Sequence, residues 1–199
     1  MKFILSFFLC ISSYANSNNI NSFASGKANE KNNKYVQDYM ITFSSQEKNR
    51  WRITNDGVMG GLSYGKMIVE KGSGTFSGQI SLDNNGGFSS VFRAVEDLSP
   101  SLNKLVIDIE GDGQLYQLRL MTNINGYRLA YKHDFKTTAN KREKFIFQLT
   151  DFQATFRGRN INNAPLLTSE DIRDVGFLMT KKITGKFALS VFQLSFFQE

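Results

Sequence analysis

Cysteine is nearly missing from this 199-residue chain, and the only one is Cys10. It falls within residues 1–15, which have the three parts of a secretory signal peptide. Lys2 gives the positive start, residues 3–11 form a short apolar run, and Ser13-Tyr14-Ala15 puts small residues at a cleavage site. Losing that leader leaves no thiol, which excludes disulfides, thiolate chemistry and cysteine-based metal sites. The run 3–11 is also far short of the ~20 residues that a membrane-crossing helix needs. No arginine precedes Arg50, which excludes an Arg-rich transit peptide. A lipoprotein leader competes less well, because Leu9 stands before Cys10 where a small residue is required.

Histidine is as scarce. His133 is the only one, so no histidine cluster can hold zinc, and any Ser-His-Asp triad would have to pass through it. At the end of an alternating strand and beside Asp134, it is expected to face solvent or a sheet edge. No Gly-x-Ser-x-Gly elbow presents a nucleophile, and no Walker A sequence occurs. The glycines at 57, 60 and 61 do not make a dinucleotide fingerprint. Asp56, Asp83, Asp108, Glu110 and Asp112 remain as carboxylates for glycosidase-type work or calcium, but no ordered ligand loop surrounds them. These absences point away from catalysis, metals and cofactors.

What is present is a core. Hydrophobic residues make up 41% of the chain, with eighteen phenylalanines and only two prolines, which excludes global disorder. Residues 16–34 are Asn-, Ser- and Lys-rich and read as a flexible polar linker, so the folded domain is expected over 35–199. There, period-2 alternation recurs: Leu105, Ile107 and Ile109; Tyr116, Leu118 and Leu120; Phe76, Ile80 and Leu82; Tyr127, Leu129 and Tyr131. Phe88, Ser90 and Phe92 share a face. Phe187, Leu189 and Val191 are followed one residue out of phase by Phe192, Leu194 and Phe196, which predicts a bulge at Val191-Phe192. Turn signals punctuate these runs at Asn55-Asp56-Gly57, Asn85-Gly86-Gly87, Gly111-Asp112-Gly113 and Asn125-Gly126. One short helix is expected at Glu170-Asp171-Ile172-Arg173, capped by Thr168 or Ser169. About ten short strands at this spacing indicate an all-β sandwich or barrel.

The net charge is +6, and losing the leader removes Lys2 from it. A basic exported protein favours anionic lipid headgroups or acidic polysaccharides through its field, although a plain basic surface accounts for the charge equally well. Nucleic acid is disfavoured by compartment.

Three segments are denser in polar groups than connection requires. In the first, 51–63, Asn55 and Asp56 can fold onto backbone N–H groups, Gly60 and Gly61 permit close approach, and Trp51 is either a sugar-stacking platform or a core anchor. In the second, 84–90, amides and serines suit a ligand or a hairpin. In the third, Arg157-Gly158-Arg159 is either a pair of forks for carboxylates or phosphates or a solvated basic turn.

Taken together, Asn55-Asp56-Gly57-Val58-Met59-Gly60-Gly61-x-Ser63, Gly74-x-Phe76-x-Gly78 and Asn84-Asn85-Gly86-Gly87-Phe88 resemble the first half of the complex I (NADH:ubiquinone oxidoreductase) intermediate-associated protein family. Gly111-Asp112-Gly113-x-x-Tyr116-x-Leu118-Arg119, Phe156-Arg157-Gly158-Arg159, Ala164-Pro165 and Gly185-x-Phe187-x-Leu189 follow in the family's order. The resemblance implies a galactose-binding-domain-like β-sandwich of jelly-roll type and a non-catalytic role like that of the mitochondrial assembly chaperones. It carries over as a candidate binding face Trp51, Asn55, Asp56, Met59, Gly60, Gly61, Ser63, Asn85, Gly86, Gly87, Phe88, Arg119, Arg157 and Arg159. Two features depart from the family. Phe92 stands where the family places an arginine, with Arg93 one residue later, and the leader directs the protein out of the cytoplasm.

The sequence therefore predicts a periplasmic or secreted β-sandwich that binds a partner protein at the cell envelope, such as a respiratory-complex assembly intermediate. A carbohydrate-binding module using Trp51, Asn55, Asp56 and the Asn84-Asn85 turn is the alternative, and a hydrolase using loop carboxylates is a third.

Overall fold

Alternation becomes strands throughout. The computed structural model describes residues 39–124, 126–181 and 184–198, and the expected leader at 1–15 and linker at 16–34 lie outside them. The described residues form thirteen strands. In chain order these are β1 (Tyr39–Thr42), β2 (Trp51–Asn55), β3 (Tyr64–Glu70), β4 (Ser73–Ile80), β5 (Phe88–Ala94), β6 (Lys104–Gly111) and β7 (Leu115–Ile124). They continue with β8 (Tyr127–Lys136), β9 (Arg142–Gln148), β10 (Gln153–Phe156), β11 (Arg159–Asn160), β12 (Ile172–Thr180) and β13 (Gly185–Phe197). Every pairing between them is antiparallel.

Two sheets face each other across one core. One runs β3-β4-β13-β6-β9 with β1 added against β13, and the other runs β11-β10-β8-β7-β12-β5-β2. This is the galactose-binding-like jelly-roll sandwich. The inward positions are those the alternation marks: Leu105, Ile107, Ile109, Tyr116, Leu118, Leu120, Phe76, Ile80, Leu189 and Val191 are fully buried. Burying such side chains stabilises the sandwich by about 1.5–3 kcal/mol each against exposure, an upper estimate because the unfolded chain is partly compact.

The phase change in β13 is a bulge. Its register with β6 slips between Val191 and Gln193, so Phe192 turns outward, where the Arg142 guanidinium lies 3.8 Å from its ring centroid. Leu194 and Phe196 then return to the core.

Two expectations from the sequence are corrected. The segment after Thr168 is one 3-10 turn, Ser169–Asp171, and Ile172 already begins β12. Ile172, Val175 and Phe177 are buried, so strand pairing on both edges of β12 prevails over the capping signals. Leu82 leaves the alternation of β4 and is 39% exposed, because the chain turns at Ser81 into a 3-10 turn over Asp83–Asn85.

A buried ion pair lies within the sandwich. Arg93, on the core side of β5, gives Nε to Glu47 Oε2 at 2.8 Å and Nη2 to Glu47 Oε1 at 2.9 Å. It also donates through Nη1 to the Tyr39 hydroxyl and the Ala94 carbonyl. Burial opposes the Glu47 carboxylate, but the Arg93 fork outweighs it and holds the carboxyl below the usual glutamate range. The pair ties β5 to the turn Ser45–Glu47 and, through Tyr39, to β1.

Candidate functional site

The first two polar segments meet at one carboxylate. Asp56 is fully buried, with Oδ1 accepting the Ser63 N–H at 2.9 Å and Oδ2 accepting those of Gly87 at 2.6 Å and Phe88 at 3.2 Å. Burial pushes its carboxyl up, but Ser63 and the backbone N–H groups of Gly87 and Phe88 prevail and hold it below the usual aspartate range. The neighbouring glycines are small because of it: a Cβ on Gly61 would stand 2.4 Å from Asp56 Cγ, and one on Gly86 2.6 Å from Oδ2. Ser63 adds a second link, giving its hydroxyl to the Ser81 carbonyl and accepting the Ser81 N–H. Asn84 closes the join by donating to the Gly60 carbonyl at 3.0 Å. The Asn-Asp-Gly and Asn-Gly-Gly-Phe motifs are thus one structural unit.

The remaining candidates near this unit divide by exposure. Asn55 accepts the Ser89 hydroxyl at 2.7 Å. Met59 is 67% exposed beside Gly60, whose φ of +86° ends the Asp56–Met59 turn, and Asn85 is exposed. Trp51 is 8% exposed and stacks on Phe43 with centroids 5.4 Å apart, which makes it a core anchor.

The seven-stranded sheet spreads the candidates apart. The loops around Asp56 flank β2 and β5 at one edge, and Arg157 and Arg159 lie at the β11 edge. At about 4.8 Å per strand the two edges are roughly 29 Å apart. Arg157 and Gly158, with φ of +50° and +79°, are the two central residues of a tight hairpin turn. Arg159 pairs with Phe156, on the side of the ribbon opposite Thr155.

Arg119 holds the middle. The register lines up Arg52, Phe92, Gly176, Arg119, Lys132 and Gln153 across six strands on the outer face of this sheet. Gly176 contributes no side chain, and Phe92 leans over it so closely that a Cβ there would stand 2.5 Å from the ring. Arg119 is half-buried, and its Nε donates to Gln117 Oε1 at 3.1 Å. Burial draws its guanidinium below the usual arginine value, against the pull of Asp134. On the same face Asp174 takes both Arg52 and Arg128, Lys132 reaches Asp134, and Lys136 is exposed at the end of β8. Arg119 has no carboxylate within ion-pair distance among the described residues. Apolar side chains flank it: Leu178 opposite Gln117, Phe92 beyond Gly176, and Met121 two residues on.

Sequence reasoning named Arg119 but missed this row, because strand order decides it and local spacing does not. It missed the Glu47–Arg93 and Asp174 pairs for the same reason. His133 is a correction: it points inward, its ring 4.9 Å from Phe147 and 5.7 Å from Phe152. Of the five carboxylates considered, Asp56, Asp83, Asp108 and Asp112 are bonded within the scaffold, and Glu110 is exposed. Asp108 is gripped by Arg142 through two bonds, while Asp112 accepts the Tyr116 hydroxyl and the Gln114 and Ala188 N–H groups. Among the described residues no three acidic or histidine side chains group to hold a metal ion.

Solved structures share the architecture. The family 11 carbohydrate-binding module of the cellulosomal cellulase Lic26A-Cel5E of Clostridium thermocellum aligns with TM-score 0.62 at 13% identity, over 82% of this chain and 96% of that one. A second structure of the family 11 module, in complex with a β-1,3-1,4-mixed-linked tetrasaccharide, gives 0.61 at 14% identity over the same shares. A family 30 carbohydrate-binding module gives 0.51 at 13% identity, over 83% of this chain and 90% of that one. At these identities the likeness is one of fold. No curated protein sequence matches. The model of the Complex I intermediate-associated protein 30 (CIA30) family matches residues 41–191, nearly the whole sandwich, and the chain belongs to that family.

Proposed function

We propose that this chain is a non-catalytic binding module that docks a partner protein on the outer face of its seven-stranded sheet, with an acidic group of the partner on Arg119. The carrying observation is the guanidinium itself, half-buried among Phe92, Leu178 and Met121 and bonded to one neutral acceptor. A desolvated arginine with spare donors amid aromatic and Met side chains has the composition of a protein-interface centre. Family membership supports an assembly intermediate of a membrane complex as the class of partner. The leader-like sequence of residues 1–15 supports an encounter at the cell envelope, outside the cytoplasmic membrane.

Carbohydrate has less support on this face. Trp51 is in the core, and no Tyr or Trp lies on the outer face among the described residues. Catalysis has less again, since Asp56, Asp83, Asp108 and Asp112 are bonded to neighbours and leave Glu110 without a second free carboxylate among the five.

The test is photocrosslinking in cells from position 117 on this face, with position 146 on the other sheet as control. A discrete adduct from 117 only, lost with Arg119→Met while the fold is kept, is the expected result. Equal adducts from both positions, or an adduct indifferent to Arg119→Met, overturns the proposal.

A further inference from the structure

The other sheet carries a second, independent feature. On its outer face, register places Tyr64, Gln79 and Lys186 in one row across β3, β4 and β13, and Lys66, Ser77 and Ala188 in the next. The turn between β6 and β7 rises beside them and brings Asp112 and Gln114. These residues enclose a groove of about 560 Å³, a size usual for small-ligand sites.

Its chemistry is one-sided. Tyr64 is 55% exposed, an aromatic surface open to solvent. Lys66 and Lys186 are exposed and have no carboxylate within ion-pair distance among the described residues. Among the described residues Asp112 is the only acid lining the groove, and it accepts the Tyr116 hydroxyl and the N–H groups of Gln114 and Ala188. Those bonds fix the carboxylate in the groove wall, beyond ion-pair distance of either ammonium group, so two cations face one anion. Ser77 and Gln114 add hydroxyl and amide groups. Lys181 stands near, bonded to the Lys186 carbonyl at 2.9 Å, and adds to the positive field.

We infer that this groove binds an acidic polysaccharide. A pyranose ring has an apolar face that stacks on an exposed tyrosine, and hydroxyls that meet Ser77 and Gln114. A carboxylate or sulfate on the same or the next residue lies within reach of Lys66 or Lys186. In the sheet lattice these lysines are two strands and one two-residue step apart, about 12 Å between Cα atoms, so their long side chains flank a bound ring. A neutral glycan leaves both ammoniums unmatched, and a simple polyanion makes no use of the tyrosine.

The test is affinity electrophoresis of the whole protein, at 150 mM salt, through gels containing polygalacturonate or chondroitin sulfate. Neutral mixed-linkage glucan and polyphosphate are the parallel arms. Retardation by an acidic polysaccharide is expected. Tyr64→Ala should weaken it about tenfold, and Lys66→Gln with Lys186→Gln at least as much, while Arg119→Met should leave it unchanged. No retardation by either acidic polysaccharide overturns the inference, as does equal retardation by the neutral glucan. Equal retention by polyphosphate with no effect of Tyr64→Ala also overturns it, by reducing the groove to a generic basic surface. Since Arg119 lies on the opposite sheet, this result and the crosslinking result stand or fall separately.

Discussion

Replacing Asp56 with asparagine changes one heavy atom and should cost a large share of a small domain's reserve. The carboxylate serves three backbone donors from two loops through two oxygens. Asparagine keeps one oxygen. Turned toward Gly87 and Phe88, that oxygen sets the amide N–H₂ against the Ser63 N–H and orphans it, a cost of about 1–3 kcal/mol for a buried donor. The two bonds that remain lose their charge assistance, roughly halving each. The sum is about 3–5 kcal/mol, against a total stability on the order of 5–15 kcal/mol. In urea unfolding with a slope of about 2 kcal/mol/M, the midpoint falls by roughly 1.5–2.5 M. Acid adds a signature. The Asp56 carboxyl is held below its unfolded value, so its stabilisation is complete above about pH 4 and is lost as pH falls through the folded pKa. The gap between wild type and Asp56→Asn should therefore narrow in that acid range. A midpoint shift under about 0.5 M, or a gap constant from pH 6 to pH 2, would falsify the description of Asp56 as the clamp of both loops.

The buried pair gives a second expectation: Glu47→Ala leaves Arg93 unpaired and should cost about 3–5 kcal/mol, while Glu47→Leu with Arg93→Met recovers most of it. Chemical denaturation of the three proteins checks this, and a double variant no more stable than the single one refutes it. At the hairpin, Arg157 has φ of +50° before Gly158, a pattern that asparagine meets more readily. Arg157→Asn should raise the thermal midpoint by about 1–2 °C, a few tenths of a kcal/mol, and a fall would contradict that turn geometry.

The core was legible because alternation is local. Leu105, Ile107 and Ile109 announce their buried face without knowledge of any partner strand, and the slip of phase at Val191-Phe192 announces the bulge. The 3-10 turn at Ser169–Asp171 was not, because its acids and hydroxyls satisfy helix-start rules that pairing of β12 on both edges overrides. Motif density singled out Asn55, Asp56 and Asn85, but a carboxylate that ligates a ligand and one that ligates backbone look alike in sequence. Only burial and the three N–H groups distinguish them. The outer row through Phe92, Gly176 and Arg119 was beyond reach for another reason: it brings together residues from six strands whose order in the sheet is unrelated to their order in the chain.

The course of β13 has a consequence in time. It lies between β6 and β4, and past its bulge it exchanges β4 for β1, so Tyr39 pairs with Phe196. During synthesis β1, β4 and β6 all emerge before it, and each then offers an unpaired apolar edge to any neighbouring chain. The loop that must close to bring β1 to β13 spans nearly the whole folded unit, which places this sandwich among slow, high-contact-order folders. The sandwich thus passes its most vulnerable interval waiting for a single strand.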